Sequence, residues 1–239
     1  MTQRIFLKIS TLFFISSSCL AALPVSSDKN TTLSAAIGYT QFPDSHDQLL
    51  VISDYVTDLL THGRQRHNMS YNFSVKQQLE HNFSAVNKIM FGPALYWQKA
   101  QFFGDVWEMV SPEFFNYRYD FASRNISVLL ESDFYFNPIA KLMPFVSAGA
   151  GFGVAYTSYN DHAFPNIPSN SELHWSQSKT KASVALGAGF SVPISDHWAA
   201  NLRYTYLYMG KADALLTPFQ PISIHLNSQN VLLGINYSL

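Results

Sequence analysis

Cysteine is almost missing from this 239-residue sequence, and the single one, Cys19, sits near its N-terminus. Beyond that residue no intramolecular disulfide can form, and no thiol is available as a nucleophile or metal ligand. Charge is scarce as well. Asp, Glu, Lys and Arg make up 13% of the chain, about half of what a soluble domain usually carries. The net charge is -1, so no excess of positive charge exists from which to build a nucleic-acid footprint, and nucleic acid is not an expected partner. Past the N-terminus nothing approaches the ~18 uninterrupted apolar residues of a membrane helix. What the chain does have is aromatic side chains, 15% of all residues. Many aromatics, little charge and no apolar helix suit a chain that crosses a membrane with strands.

The N-terminus supplies an export signal. Arg4 and Lys8 form a short basic region, and an apolar stretch follows from residue 9 to 15 and on through Leu20. Residues 19–22 offer a small-residue cleavage site. The stretch is too short for a membrane anchor and is broken by Ser10 and by Ser16, Ser17 and Ser18. Lipidation at Cys19 would call for Leu three positions earlier, where Ser16 stands. The expected organisation is a cleaved signal over residues 1–22 and one domain over 23–239, a suitable length for a single unit.

Period-two alternation marks that domain. At the C-terminus Val231, Leu233, Ile235, Tyr237 and Leu239 share one face, while Leu232, Gly234, Asn236 and Ser238 share the other. That spacing is a strand, not a helix. Upstream, Trp198, Ala200, Leu202, Tyr204, Tyr206 and Tyr208 oppose Asn201, Arg203, Thr205 and Lys211. Ala182, Val184, Leu186, Ala188, Phe190 and Val192 oppose Lys179, Lys181, Ser183, Gly187, Gly189 and Ser191. Val146, Ala148, Ala150, Phe152, Val154 and Tyr156 oppose Ser147, Gly149, Gly151, Gly153 and Thr157. Ile126, Val128, Leu130, Phe134 and Phe136 oppose Asn125, Ser127, Glu131 and Asp133. Phe83, Ile89, Phe91, Leu95 and Trp97 oppose Ser84, Lys88 and Gly92, with Pro93 marking a bulge or local break. Met69, Tyr71, Phe73 and Val75 oppose Ser70, Asn72, Ser74 and Lys76; Leu33, Ala35, Ile37 and Tyr39 oppose Thr32, Ser34, Ala36 and Gly38.

These segments are about eight, an even number, as a closed single-chain barrel requires. The apolar parity of Phe115, Tyr117, Tyr119 and Phe121 is out of step with Ile126, so a bulge is expected near residues 122–124. Short connectors are expected at residues 79–82, 137–143 and 193–197. Long ones are expected at 41–67, 98–113, 158–177 and 212–227, with a short helix considered for 49–60. Short periplasmic turns against long external loops is the arrangement of bacterial outer-membrane barrels. A soluble ligand-binding barrel has the same period with its apolar face inward. Scarce charge, the run Tyr204, Tyr206, Tyr208 and the glycines on the polar face favour lipid outside. The expected fold is an all-β, transmembrane, antiparallel up-and-down barrel.

The segments 144–153, 197–206 and the terminal strand resemble the small outer-membrane β-barrel domain shared by OmpA-like and opacity-type surface proteins. The resemblance covers essentially all of the sequence after the signal. It implies the Gram-negative outer membrane, surface exposure, and contact with outer-membrane lipids, lipopolysaccharide and the outer-membrane assembly machinery. It further implies that Ile235, Tyr237 and Leu239 act as the C-terminal assembly signal, although the family most often ends in Phe. It implies no single activity, because sites are grafted onto folds.

A lipid A deacylase barrel carries His and Ser two residues apart on a strand. Here His225 and Ser228 are three apart, which puts them on opposite faces. His62, His67, His162 and His174 lack metal-ligand spacing. No catalytic, cofactor or metal site is therefore expected. Charge offers more. Parity turns Lys76, Lys88, Lys179, Lys181 and Arg203 inward together with Glu131 and Asp133, since Lys or Arg facing lipid at mid-bilayer costs ~2–4 kcal/mol. An eight-stranded lumen is filled by its side chains. The expectation is an ionic plug in which Arg203 and the lysines bridge Glu131 and Asp133, with Arg203 and Glu131 as the core pair. The alternative is that lysines near strand ends, Lys179 and Lys181 first, snorkel into water. The expected role is structural or weakly porin-like. The alternatives are an adhesin working on a host or surface ligand through its loops, or a lipid A-modifying enzyme.

Overall fold

The computed structural model describes residues 31–42, 47–53, 56–61, 63–65, 68–165, 173–214 and 222–239. The expected signal over residues 1–22 lies outside them, as do His62 and His67. Eight antiparallel strands form a closed ring: β1 (Thr31–Gln41), β2 (Asn68–Leu79), β3 (Val86–Trp107), β4 (Phe115–Phe136), β5 (Met143–Ala163), β6 (His174–Pro193), β7 (Trp198–Tyr208) and β8 (Ser228–Ser238). Each strand pairs with its sequence neighbour, and β1 pairs with β8 from Thr32↔Ser238 to Gln41↔Gln229. Closure matters because lipid cannot hydrogen-bond an open sheet edge.

Alternation decides what faces where. Outside, Leu33, Ile37, Phe73, Val128, Leu130, Phe152, Leu186, Phe190, Leu202, Leu233 and Ile235 are exposed. Inside, Ser70, Asn72, Ser74, Asn125, Ser127, Asn201, Thr205 and Asn230 are buried. A soluble barrel would have these two sets exchanged. The apolar face is turned outward, to lipid.

Strand length is where the structure departs most from expectation. β3 and β4 each have 22 residues, β5 has 21 and β6 has 20, whereas β1, β7 and β8 have 11. At ~3.3 Å per residue the longest run to roughly 70 Å, while a tilted strand crosses the membrane in about 9–11 residues. The upper halves of β3–β6 therefore stand clear of the bilayer. Of two expected long loops, 98–113 proves to be largely strand, and 158–177 is strand at both ends. The first shrinks to two short 3-10 turns, Glu108–Val110 and Pro112–Phe114; in the second, strand continues to Ala163 and resumes at His174.

The expected bulge near residues 122–124 does not occur. β4 and β5 hold one register from Tyr117↔Ala163 to Tyr135↔Phe145. Tyr117, Tyr119 and Phe121 point inward and are buried, while Arg118, Asp120 and Arg124 point outward. Parity never slips; the surroundings change from lipid to water, so the apolar face changes sides. At Pro93 the β2–β3 ladder passes from Ser74↔Ala94 to Gln77↔Phe91 without altering register, a local break and not a bulge.

The described residues of 49–60 are strand, not helix; Gln48–Ser53 pairs with Val56–Leu60, and this pair docks on β3 through Leu59↔Trp107 and Leu60↔Val106. Thr57, Val51 and Val56 suit extended backbone. Lys211 is not on β7, which ends at Tyr208. Gly210, with φ of 72°, turns the chain there, and Lys211–Ala214 pairs with Ile222–His225 as a separate hairpin. Phe83 and Ser84 precede β3, which begins at Val86. The turns at residues 80–85, 137–142 and 194–197 lie at the same end of the barrel as Thr31 and Ser238, the end opposite the extension.

Candidate functional site

The inward parity of β2, β4 and β7 carries four charged side chains to one level of the lumen. Lys76, Glu131, Asp133 and Arg203 are all buried, Glu131 completely. Lys76 Nζ donates to Glu131 Oε2 at 3.0 Å and to Asp133 Oδ2 at 2.6 Å. Arg203 Nη1 donates to Glu131 Oε1 at 2.8 Å, and Nη2 donates to Asp133 Oδ2 at 2.9 Å. Tyr96 Oη adds a donor to Glu131 Oε1 at 3.1 Å. Two cations meet two carboxylates, so the network is neutral. β2, β4 and β7 are not adjacent in the ring, so the network spans the bore from wall to wall.

Aromatic rings back the cations. The Arg203 guanidinium lies over Phe145, 5.0 Å from the ring centroid, and Lys88 Nζ lies over Tyr135 at 4.7 Å. Parity alone singled out the charges and not Tyr96, Tyr135 or Phe145. Yet all three occupy inward positions, and an aromatic there beside luminal charge is a signal the sequence carries.

The lysines do not all join the network, contrary to the expected bridging. Lys88 makes its contact with Tyr135 instead. Lys179 and Lys181 lie half-buried on the inward side of β6, paired with Ala155 and Gly153 of β5. Register explains the separation. Glu131 and Asp133 lie opposite Gly149 and Ser147, whose partners on β6 are Ala185 and Gly187. Lys181 is thus four residues, ~13 Å, further up the wall.

Other layers close the lumen above and below. Below the charges, Met90, Tyr135 and Phe145 pack together. Above them lie Tyr96, Leu129, Ala155, Leu207, Met209 and Leu232. A Cβ added to Gly153 would come within 2.6 Å of Met209 Cε, so glycine here is a matter of volume. Higher still, Gln98 Nε2 donates to Ser228 Oγ at 2.9 Å and to Asn230 Oδ1 at 2.7 Å. Phe42, Phe102, Phe121, Tyr119 and Tyr159 fill the inside of the extension, with Tyr119 and Tyr159 stacked at 5.8 Å. At its rim the buried carboxyl of Asp58 accepts the Met109 N–H at 3.1 Å. Burial pushes that carboxyl above the ordinary range, opposed by the Met109 hydrogen bond.

The sequence matches the outer membrane protein β-barrel domain over residues 11–238. The chain belongs to the outer membrane protein β-barrel family. Its place is the Gram-negative outer membrane. Among curated relatives it is similar to the 31 kDa outer-membrane immunogenic protein of Brucella melitensis, 29% identical over 99 residues, 41% of this chain. The match spans only 38% of that relative's length. Among solved structures the fold is similar to the outer membrane protein OprG of Pseudomonas aeruginosa, with TM-score 0.51 and 13% identity over 88% of this chain and 97% of that one. Neisserial surface protein A aligns with TM-score 0.46 and 11% identity over 87% and 97%.

Ser228 is buried against Gln98, and His225 is exposed. His162 Nε2 is 3.9 Å from Asp120, and His174 Nδ1 is 2.9 Å from Asn160 Oδ1. Among the described residues no group of three or more His, Cys, Asp or Glu is placed to hold a metal. Of the terminal residues, Ile235 faces outward, Tyr237 packs on Trp198 with ring centroids 4.7 Å apart, and the Leu239 N–H donates to Thr31 O at 2.9 Å.

Proposed function

We propose that the protein is a structural surface barrel with a lumen closed by side chains, holding a rigid extension outside the cell. The observation that carries this reading is the buried four-charge network across the bore, stacked between apolar layers. Removing one partner would strand a buried charge, so the network is held shut by its own electrostatics. An eight-stranded bore is already narrow, and no aqueous path passes a side-chain layer that binds across it. The test is swelling of liposomes carrying the purified protein. Small sugars should enter no faster than in protein-free liposomes; entry that scales with protein content would overturn the closed-barrel reading.

The extension favours a second reading, an adhesin that meets a surface ligand through the external end. Four strands continue past the lipid and are stiffened by an aromatic interior, which displays the hairpin of Gln48–Ser53 and Val56–Leu60 at fixed height. The Brucella relative is by name an immunogenic outer-membrane protein, which accords with display outside the cell. Replacing residues 48–60 with a short turn should leave the heat-shifted gel mobility intact and abolish attachment; unchanged attachment would remove the adhesin reading.

A further inference from the structure

Lys99 on β3 and Arg124 on β4 are direct cross-strand partners, and both are exposed on the outer face. Like charges directly opposite one another on a sheet are destabilising. Neither has a carboxylate partner among the described residues. The acids just above are engaged elsewhere: Asp105 is 3.7 Å from Arg118, and Asp120 is 3.9 Å from His162.

The height of the pair is informative. One row below, Trp97↔Ile126↔Val154 crosses the same strands, and Trp97 packs on Tyr71 with ring centroids 5.4 Å apart. One row above come Gln101, Ala122 and Ser158. Tyr156 shares the row of Arg124. Along β4 the outward positions from Phe136 to Ile126 span about 33 Å at ~3.3 Å per residue. At a tilt of 35–45° that is close to the ~25 Å apolar band of an outer-membrane barrel. Lys99 and Arg124 therefore stand on the outer rim of the lipid belt, at the end away from the short turns.

We propose that Lys99 and Arg124 form a binding site for a phosphate group of the outer-leaflet glycolipid, whose acyl chains lie against the apolar face formed by Ile126, Val128 and Phe152. A phosphate between the two cations removes their mutual repulsion. Arg supplies a planar pair of donors matched to phosphate oxygens, and Lys a mobile point charge. A rim phosphate is the anion available at this depth, because its lipid is anchored where the apolar band ends.

The test uses the full chain refolded in phosphatidylcholine nanodiscs containing either diphosphorylated lipid A or enzymatically dephosphorylated lipid A, with bound lipid counted by native mass spectrometry. Wild type should retain diphosphorylated lipid A, and Lys99→Gln/Arg124→Gln should retain on the order of thirtyfold less, from two basic residues at a membrane surface. Lys141→Gln, in a turn at the opposite end, should change nothing. Arg124→Glu should lose the lipid too, yet remain at least as heat-resistant in phosphatidylcholine alone, since it gives Lys99 an acidic partner. That variant separates loss of a ligand from loss of fold, and the two single Gln substitutions serve if the double variant does not refold. Equal retention by wild type and the double variant, or equal retention of the dephosphorylated lipid, would overturn the site. So would complete displacement by inorganic phosphate, which would make it a general anion site.

Discussion

The lower and upper halves of β3–β6 use one inward parity to bury opposite chemistries. In the lower half lipid lies outside, and the inward positions of β4 hold the polar Asn125, Ser127, Glu131 and Asp133 among the apolar Leu129 and Tyr135. In the upper half water lies outside, and the inward positions of the same strand hold Phe121, Tyr119 and Tyr117. Periodicity fixes only that successive residues face opposite sides. Which side is apolar depends on the solvent beyond the wall. In lipid, burying polarity inside is the only economical choice; above it, an aromatic interior excludes water as any soluble core does.

Five experiments separate the two halves, from the largest effect to the smallest. Deleting Tyr237–Leu239 removes the pairs Leu33↔Tyr237 and Trp198↔Tyr237 at the seam of the ring. No folded barrel should reach the outer membrane, read as loss of the heat-shifted band in membrane fractions. Glu131→Ala leaves Lys76 and Arg203 buried without one of their two acids and should cost ~3–5 kcal/mol in urea unfolding from micelles. Phe121→Ala should cost a similar ~3–5 kcal/mol of packing, but its effect is local. Protease should nick the extension while the membrane-embedded part stays heat-resistant, whereas Glu131→Ala should weaken the whole barrel.

Outward positions give the milder pair. Leu130→Arg, on the lipid face, should cost ~2–4 kcal/mol. Arg118→Leu, outward on the same strand but in water, should fall within ~0.5 kcal/mol. Equal costs would mean that the two halves share one environment. The smallest effect is in pH. The Asp58 carboxyl is raised in the fold by burial, so the folded state binds that proton more tightly than the unfolded one. Docking of the hairpin should then be firmest in acid and weaken as pH rises from the ordinary carboxylate range through the raised value. Amide exchange across residues 56–60 should show this, and Asp58→Asn should flatten it.

Much of the ring was legible in the sequence because alternation is a local property. Each run from Leu33 to Tyr39, or from Val231 to Tyr237, declares its outer face without reference to any other strand. The extension was not legible, for the reason the two halves differ. When Tyr117, Tyr119 and Phe121 fall out of step with Ile126, one strand in two solvents produces the same pattern as a bulge. Residues 98–113 and 158–177 read as loops because their alternation no longer follows the greasy-outside rule. The lumen was half legible. Parity assigns Lys76, Glu131, Asp133 and Arg203 to the inner face, but which of them meet depends on stagger between strands far apart in sequence. That stagger lifts Lys181 four residues above the level of Glu131. The bond from Tyr96 to Glu131 and the ring of Phe145 under Arg203 are set the same way.

On the closed-barrel proposal, four buried charges hold the lumen shut. Single-channel recording of the folded protein in planar bilayers tests it most directly, with wild type and Glu131→Ala measured at matched insertion. Wild type should give a flat baseline, and Glu131→Ala should give intermittent leak steps as Arg203 and Lys76 lose a shared acid. Stable open steps in wild type, with Glu131→Ala indistinguishable from it, would show that the four charges do not close the bore.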